Sequence, residues 1–240
     1  MQGDRASRQL ERSAGAKTVE SANTSRVDRG LNDPRAVHIL AAEHWSLLSA
    51  RNLGYQEMFG RATIFVAILS GTIIALALVA QATRFGRETL LVALLLLTVA
   101  LFIGLMTFVR SVAINLEDAR WVEGMNLLHQ AYFEIVPELQ PYFITGHAPD
   151  VNGDSLAHGS PQRTRNLVRS LTTTPGVVAA LNSLLAGTLV SDVGALAGVR
   201  LVVVAIIGAA VSVVSAVGHV RFAARFRRTH GTTSPPTKAF

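Results

Sequence analysis

The hydrophobic residues of this chain are concentrated in four uninterrupted blocks, a pattern typical of helices that cross a bilayer. Residues 62–83 and 89–109 form one closely spaced pair, and residues 174–196 and 201–220 form a second. A helix needs about 20 predominantly apolar residues to span the hydrocarbon core. Each block is therefore predicted to be one transmembrane helix, and each pair is predicted to be a helical hairpin.

Two further helices are predicted next to the first hairpin. Apolar residues recur with helical spacing over residues 34–60, which indicates an amphipathic helix. This helix leads into the first span either as one long helix or with a bend at Gly60. Residues 110–136 continue the second span in the same way, and the helix is expected to end before Pro137.

The rest of the chain is polar. Residues 1–33 are predicted to be a disordered tail, residues 137–173 a loop and residues 221–240 a basic tail. Half of all residues are hydrophobic and only 16% are charged, whereas soluble domains carry about 25% charged residues. The predicted fold class is therefore an all-α integral membrane protein with four transmembrane helices and long helical extensions.

Arginines are distributed unequally between the two sides of the predicted membrane part. Near the span ends, eleven arginines lie on the side of the two termini and three lie on the side of the two short connections. The positive-inside rule then places both termini and residues 110–173 in the cytoplasm. The net charge of +6 also suits anionic lipid headgroups. Nucleic-acid binding is not expected, because no nucleic-acid-binding motif accompanies the charge.

A few polar residues within the predicted spans are candidates for function. They are Asn182, Asp192, Ser212, Ser215 and His219. Two interpretations remain open for these residues: they line a pore, or they pack between helices. Gly208, Ser212 and Ala216 also recur every four residues, which allows another helix to approach closely. That helix belongs either to the same chain or to a second copy.

The helical extensions carry a second set of candidates. They are His44, Trp45, Asn115, Trp121 and Asn126. This amount of polar and aromatic detail indicates a packed cytoplasmic layer, and an oligomer interface is one interpretation of that layer. Trp45 and Trp121 are expected to be buried in it.

No arrangement of residues indicates an enzyme, a cofactor or a metal site. Ser70 and His219 lie on different spans, and no hydrolase motif surrounds them. A sequence that resembles the start of a calcium loop at Asp150 has Ser155 where glycine is needed and Pro161 where glutamate is needed. The chain contains no cysteine, which excludes thiolate chemistry.

Several segments resemble a family of uncharacterised actinobacterial four-span membrane proteins. These segments are residues 44–48, 51–53, 69–71, 75–81, 117–126, 137–139 and 141–143. The resemblance covers roughly residues 38–220 and implies a multi-pass protein of the bacterial plasma membrane. It implies no activity and assigns no role to any residue.

Three functional hypotheses follow. The first is a homo-oligomeric channel or pore-like assembly within the lipid bilayer. The alternative is a non-conducting scaffold or sensor whose cytoplasmic helices bind a partner or anionic lipid. A membrane enzyme ranks last, because no catalytic arrangement is visible.

Overall fold

The structure is a computed structural model that describes residues 31–142 and 173–230. Its elements are α1 (Ala36–Ala82), α2 (Arg87–Ile135), a 3-10 helix (Pro137–Tyr142), α3 (Thr174–Leu196) and α4 (Leu201–His230). No strand occurs within the two described ranges. Each of the four α-helices contains a stretch that is long and apolar enough to cross a bilayer. The predicted all-α, multi-span membrane fold is therefore confirmed.

The first two helices are each much longer than a membrane span. α1 has 47 residues and α2 has 49, so each measures about 70 Å at the α-helical rise, against about 30 Å for the hydrocarbon core. No proline occurs between residues 35 and 136, and α1 passes Gly60 without a break. The amphipathic segment and the first span are thus one helix. Pro137 follows the end of α2, as expected.

Two boundaries differ from the sequence-based prediction. Residues 137–142 form the 3-10 helix instead of the start of a loop. α4 continues to His230 instead of ending at residue 220. Alanine and arginine favour helix in this stretch, and the next glycine is Gly231. The predictions for residues 1–30, 143–172 and 231–240 lie outside the described residues.

A tight turn joins α1 to α2. Arg84 and Phe85 have positive φ values of 52° and 58°, and the Phe85 amide donates to the Ala80 carbonyl at 2.9 Å. The Gly86 amide donates to the Thr83 carbonyl at 3.0 Å. These bonds satisfy carbonyls at the end of α1. The short turn also makes α1 and α2 antiparallel neighbours.

The described chain forms two compact units. The smaller unit contains residues 31–50 and 121–142, and the larger unit contains residues 51–120 and 173–230. The core of the larger unit is built from α1, α2 and α3. Its buried members are Phe65, Ala93, Leu97, Ala100, Phe108, Val112, Val178 and Leu185.

The outer surface of the larger unit is strongly apolar. Ile74, Leu95 and Ile206 are 62%, 65% and 65% exposed. Such a surface is suited to lipid, because acyl chains cover it without loss of hydrogen bonds. The end of this unit that carries Arg51, Arg61, Arg110 and the arginines of α4 beyond residue 220 is called the basic end below.

Candidate functional site

The polar candidates of the spans lie at contacts within the larger unit. Asn182 and Asp192 of α3 are buried, and Ser212, Ser215 and His219 of α4 are half-buried. Asp192 lies in the last two turns of α3, and its Oδ2 atom is buried with no hydrogen-bond partner among the described residues. The structure therefore places all five residues within one chain, at or near its own helix contacts.

Asn182 lies where three helices meet. A Cβ added at Gly104 of α2 would collide with the Asn182 Oδ1 atom and would lie 2.6 Å from the Phe65 ring of α1. Only glycine leaves room for this crossing. Asn182 is 0% exposed, and neither its Oδ1 nor its Nδ2 atom has a partner in the described part of the chain. An unpaired buried amide costs about 1–3 kcal/mol.

The small-residue pattern of α4 is used for packing within the chain. A Cβ added at Gly187 of α3 would collide with Ser212 Oγ and the Gly208 carbonyl, and one added at Gly208 would collide with Ser191 Oγ. Ser212 Oγ donates to the Gly208 carbonyl at 3.0 Å. The Ser191 hydroxyl donates across the interface to the Val204 carbonyl at 3.3 Å. These contacts bring the backbones of α3 and α4 close together.

His219 also acts as a packing residue. Its Nδ1 atom lies 2.8 Å from the Ser215 carbonyl oxygen. A carbonyl oxygen only accepts, so Nδ1 carries the proton and a neutral ring has its lone pair on Nε2. Nε2 is buried without a partner in the described ranges, and the ring meets Phe108 edge-on at a centroid distance of 4.6 Å. Phe108 thus covers the imidazole.

A network of ion pairs joins α1 to α2 at the basic end. Glu57 of α1 accepts two hydrogen bonds from Arg110 of α2, at 2.7 and 2.9 Å, and one from Arg61 at 2.8 Å. Arg110 also donates to Glu117 at 3.0 Å. The hydrogen bonds from Arg110 lower the pKa of Glu57 to about 2, and Glu57 in turn raises the pKa of Arg110. The paired charges hold the two helices in register.

A second ion pair lies further along the same two helices. Arg51 Nε donates to Asp118 Oδ1 at 2.6 Å, and the Tyr55 hydroxyl donates to Asp118 Oδ2 at 3.0 Å. The Arg51 guanidinium also lies 5.6 Å from the centre of the Tyr55 ring. Sequence reasoning missed both ion-pair groups. The helical spacing of Arg110 and Glu117 was the local signal. The α1 residues Glu57 and Arg51, which pair with Arg110 and Asp118, are far away in sequence.

In the smaller unit, His44 stacks on His129. Their ring centroids are 5.5 Å apart, and Tyr132 lies 6.4 Å from His44. His44 Nδ1 is buried without a partner among the described residues. Burial, and then the charge of His44, lowers the pKa of His129. His129 therefore favours its neutral form, since a charged imidazole here is both desolvated and close to His44.

Among the other candidates of the extensions, Trp45 and Trp121 are more exposed than expected. Trp45 is 67% exposed, which contradicts its expected burial for a single chain. Its position on α1 explains this result, because Leu40, His44 and Leu47 face inward and Trp45 lies outside that stripe. Trp121 is half-buried, and Asn115 and Asn126 are exposed.

No protein-family model, curated protein or solved structure matches this chain. The resemblance to an actinobacterial membrane family therefore stays a prediction. Within the described ranges, no group of three or more histidine, aspartate or glutamate side chains is placed to hold a metal ion. The geometry instead consists of packed polar groups inside the bundle, ion pairs at the basic end and an exposed face around Trp45.

Proposed function

We propose that this chain is a non-conducting scaffold or sensor of the bacterial plasma membrane, with its basic end in the cytoplasm. In this proposal the chain self-associates through the helical extensions. One observation carries the choice between the hypotheses. Of the five polar candidates that a pore would need along its axis, Asn182 and Asp192 are buried among the helices of one chain, and Ser212, Ser215 and His219 are half-buried at contacts within it.

The exposed face of α1 in the smaller unit supports self-association. Ile39, Ala42 and Trp45 fall within one third of the helix circumference, together with His38 and Ser46. Ile39 is 65% exposed and Trp45 is 67% exposed. Within α1 this face has no Asp, Glu, Lys or Arg. Arg35, one turn before Ile39, is paired with Asp33, so two copies can meet across a twofold axis without repulsion between unpaired charges. Large exposed apolar residues outside a membrane span indicate such contacts.

The experiment is native mass spectrometry of the protein in lipid nanodiscs. We expect the wild type to contain two or more copies, and we expect Trp45→Ser to shift it toward the monomer. Phe85→Ser is the matched control, because Phe85 is an aromatic residue that is 80% exposed and lies in the α1–α2 turn, at the other end of α1 from Trp45. A monomeric wild type, or equal loss in both variants, would overturn self-association through this face.

Ion flux into liposomes tests the non-conducting part of the proposal. Reconstituted protein is expected to give no more flux than empty liposomes.

A homo-oligomeric channel is the second candidate, and a small-residue face on α1 favours it. Ala67, Ser70 and Gly71 are exposed there, and a Cβ at Gly71 would meet nothing within 4 Å. Protein-dependent flux would establish the channel in place of the scaffold.

The absence of native cysteine makes the orientation testable. Ser46→Cys and Phe85→Cys each place one thiol at an exposed position, in the smaller unit and in the α1–α2 turn. In intact cells, a membrane-impermeant maleimide is expected to label Phe85→Cys but not Ser46→Cys. Labelling of Ser46→Cys without permeabilisation would reverse the proposed topology.

A further inference from the structure

A groove on the outer surface of the spans contains a single charged side chain. It lies between α1 and α2 in the larger unit, is open to the outside and has a volume of about 310 Å³. Its walls are Ile64, Phe102, Ile103, Met106 and Thr107, and Arg61 lies at the basic end. Thr107 donates its hydroxyl proton to the Ile103 carbonyl at 2.9 Å. The groove is therefore apolar along its length and cationic at one end.

Arg61 is held in place but retains free donors. Its Nε atom donates to Glu57 at 2.8 Å, and Glu57 is fixed by two hydrogen bonds from Arg110. The two terminal nitrogens of Arg61 have no hydrogen-bond partner among the described residues. Its side chain is 50% exposed. A guanidinium with free terminal N–H groups suits a phosphate, which it can bind with two parallel hydrogen bonds.

The position of the groove identifies the source of that phosphate. Arg61 is the last charged residue before the uncharged span 62–83, so it lies at the level of the headgroups, while Ile64 and Met106 lie at the level of the acyl chains. A phospholipid has this same order of phosphate and hydrocarbon. We propose that the groove binds one phospholipid, with its phosphate on Arg61 and an acyl chain against Phe102 and Met106.

A second copy of the chain fits the groove less well. A helix lying in it would have to present a carboxylate to Arg61 near the start of its span. The four spans contain only one acidic residue, Asp192, and it is buried near the end of α3 that is remote from the basic end. The carboxylates at the basic end, Glu57, Glu117 and Asp118, are paired with arginines of their own chain. Charge complementarity therefore favours lipid over another span of this protein.

The test is native mass spectrometry after extraction from nanodiscs of phosphatidylglycerol and phosphatidylethanolamine, counting the phospholipids that remain bound. We expect one retained phospholipid per chain in the wild type. Arg61→Gln is expected to reduce that species at least tenfold. Arg87→Gln is the matched control, because it removes an arginine at the start of α2, at the opposite end of the spans. It is expected to retain the lipid.

A second variant leaves the arginine intact. Met106→Trp fills the apolar part of the groove, and it is expected to lose the same lipid while circular dichroism shows an unchanged helix content. Retention of the lipid in Arg61→Gln and in Met106→Trp would overturn the proposal, as would equal loss in Arg87→Gln. The proposal would also be overturned if the wild type carried a second protein copy instead of the lipid and Met106→Trp dissociated that copy. Inorganic phosphate added at millimolar concentration is expected to leave the retained phospholipid bound.

Discussion

Glu57→Gln is the substitution that tests the ion-pair network most directly. Glu57 joins Arg110 and Arg61 through three hydrogen bonds, and its pKa is lowered from 4.5 to about 2, first by Arg110. A shift of this size corresponds to at most about 3.4 kcal/mol, since one pKa unit is worth about 1.4 kcal/mol. The side chains of Glu57 and Arg110 are 35% and 36% exposed, so solvent screens the pair. We expect a loss of about 1–2 kcal/mol.

The free energy of unfolding can be measured by titrating dodecyl sulfate into mixed micelles at pH 7 and following the loss of helix by circular dichroism. Glu123→Gln is the control, because Glu123 is an exposed carboxylate on α2. It forms no ion pair among the described residues. The control is expected to lose less than about 0.5 kcal/mol. If Glu57→Gln is no more destabilising than the control, the network does not stabilise the α1–α2 hairpin.

The pH dependence of the same variant has a defined sign. The pKa of Glu57 is lower in the folded chain than its ordinary value of 4.5. Its contribution is therefore present above pH 4.5 and is lost as the pH falls through about 2. The stabilities of the wild type and Glu57→Gln should converge over that interval. A gap between them that stays constant down to pH 2 would refute the assignment to the Glu57 carboxylate.

Two further substitutions test other contacts. Gly104→Ala is expected to cost about 1–3 kcal/mol of unfolding free energy, because its Cβ would collide with Asn182. Gly71→Ala is the control and is expected to be neutral or stabilising. Equal effects of the two substitutions in the same dodecyl sulfate titration would contradict the close crossing at Gly104. The pKa of His129 is lowered by burial and by His44. The contribution of neutral His129 to the stability of the smaller unit should therefore be complete above pH 6.5 and be lost as the pH falls below that value. Hydrogen exchange of residues 121–135, corrected for intrinsic rates, should show this loss in the wild type and less of it in His129→Gln.

The four spans could be predicted because the relevant property is local. Twenty apolar residues in sequence suffice to identify a span, whatever lies beside them. The ion pairs could not be predicted in the same way, because Arg51 and Asp118 are brought together only by the hairpin. They lie almost equally far from the α1–α2 turn at residues 83–86, so an antiparallel pairing about that turn would have suggested their contact. That step required the position of the turn and the phase of both helices.

The polar span residues illustrate a different limit. The sequence places Asn182, Ser212 and His219 within predicted spans, but it does not show which neighbour each one meets. A pore-lining residue contacts water and a packing residue contacts another helix, and the sequence of the residue itself is the same in both cases.

One signal did bear on that choice. α3 has the lowest mean hydropathy of the four candidate spans, and it also has the largest buried share. A span that contacts other helices on several sides exposes less surface to lipid, so it tolerates Asn182 and Asp192 where a lipid-facing helix would not. Contact with other helices thus accounts for the weak apolar character of α3. The same reasoning accounts for the strongly apolar character of α1, α2 and α4, whose outer faces carry the exposed isoleucine and leucine residues that meet the acyl chains.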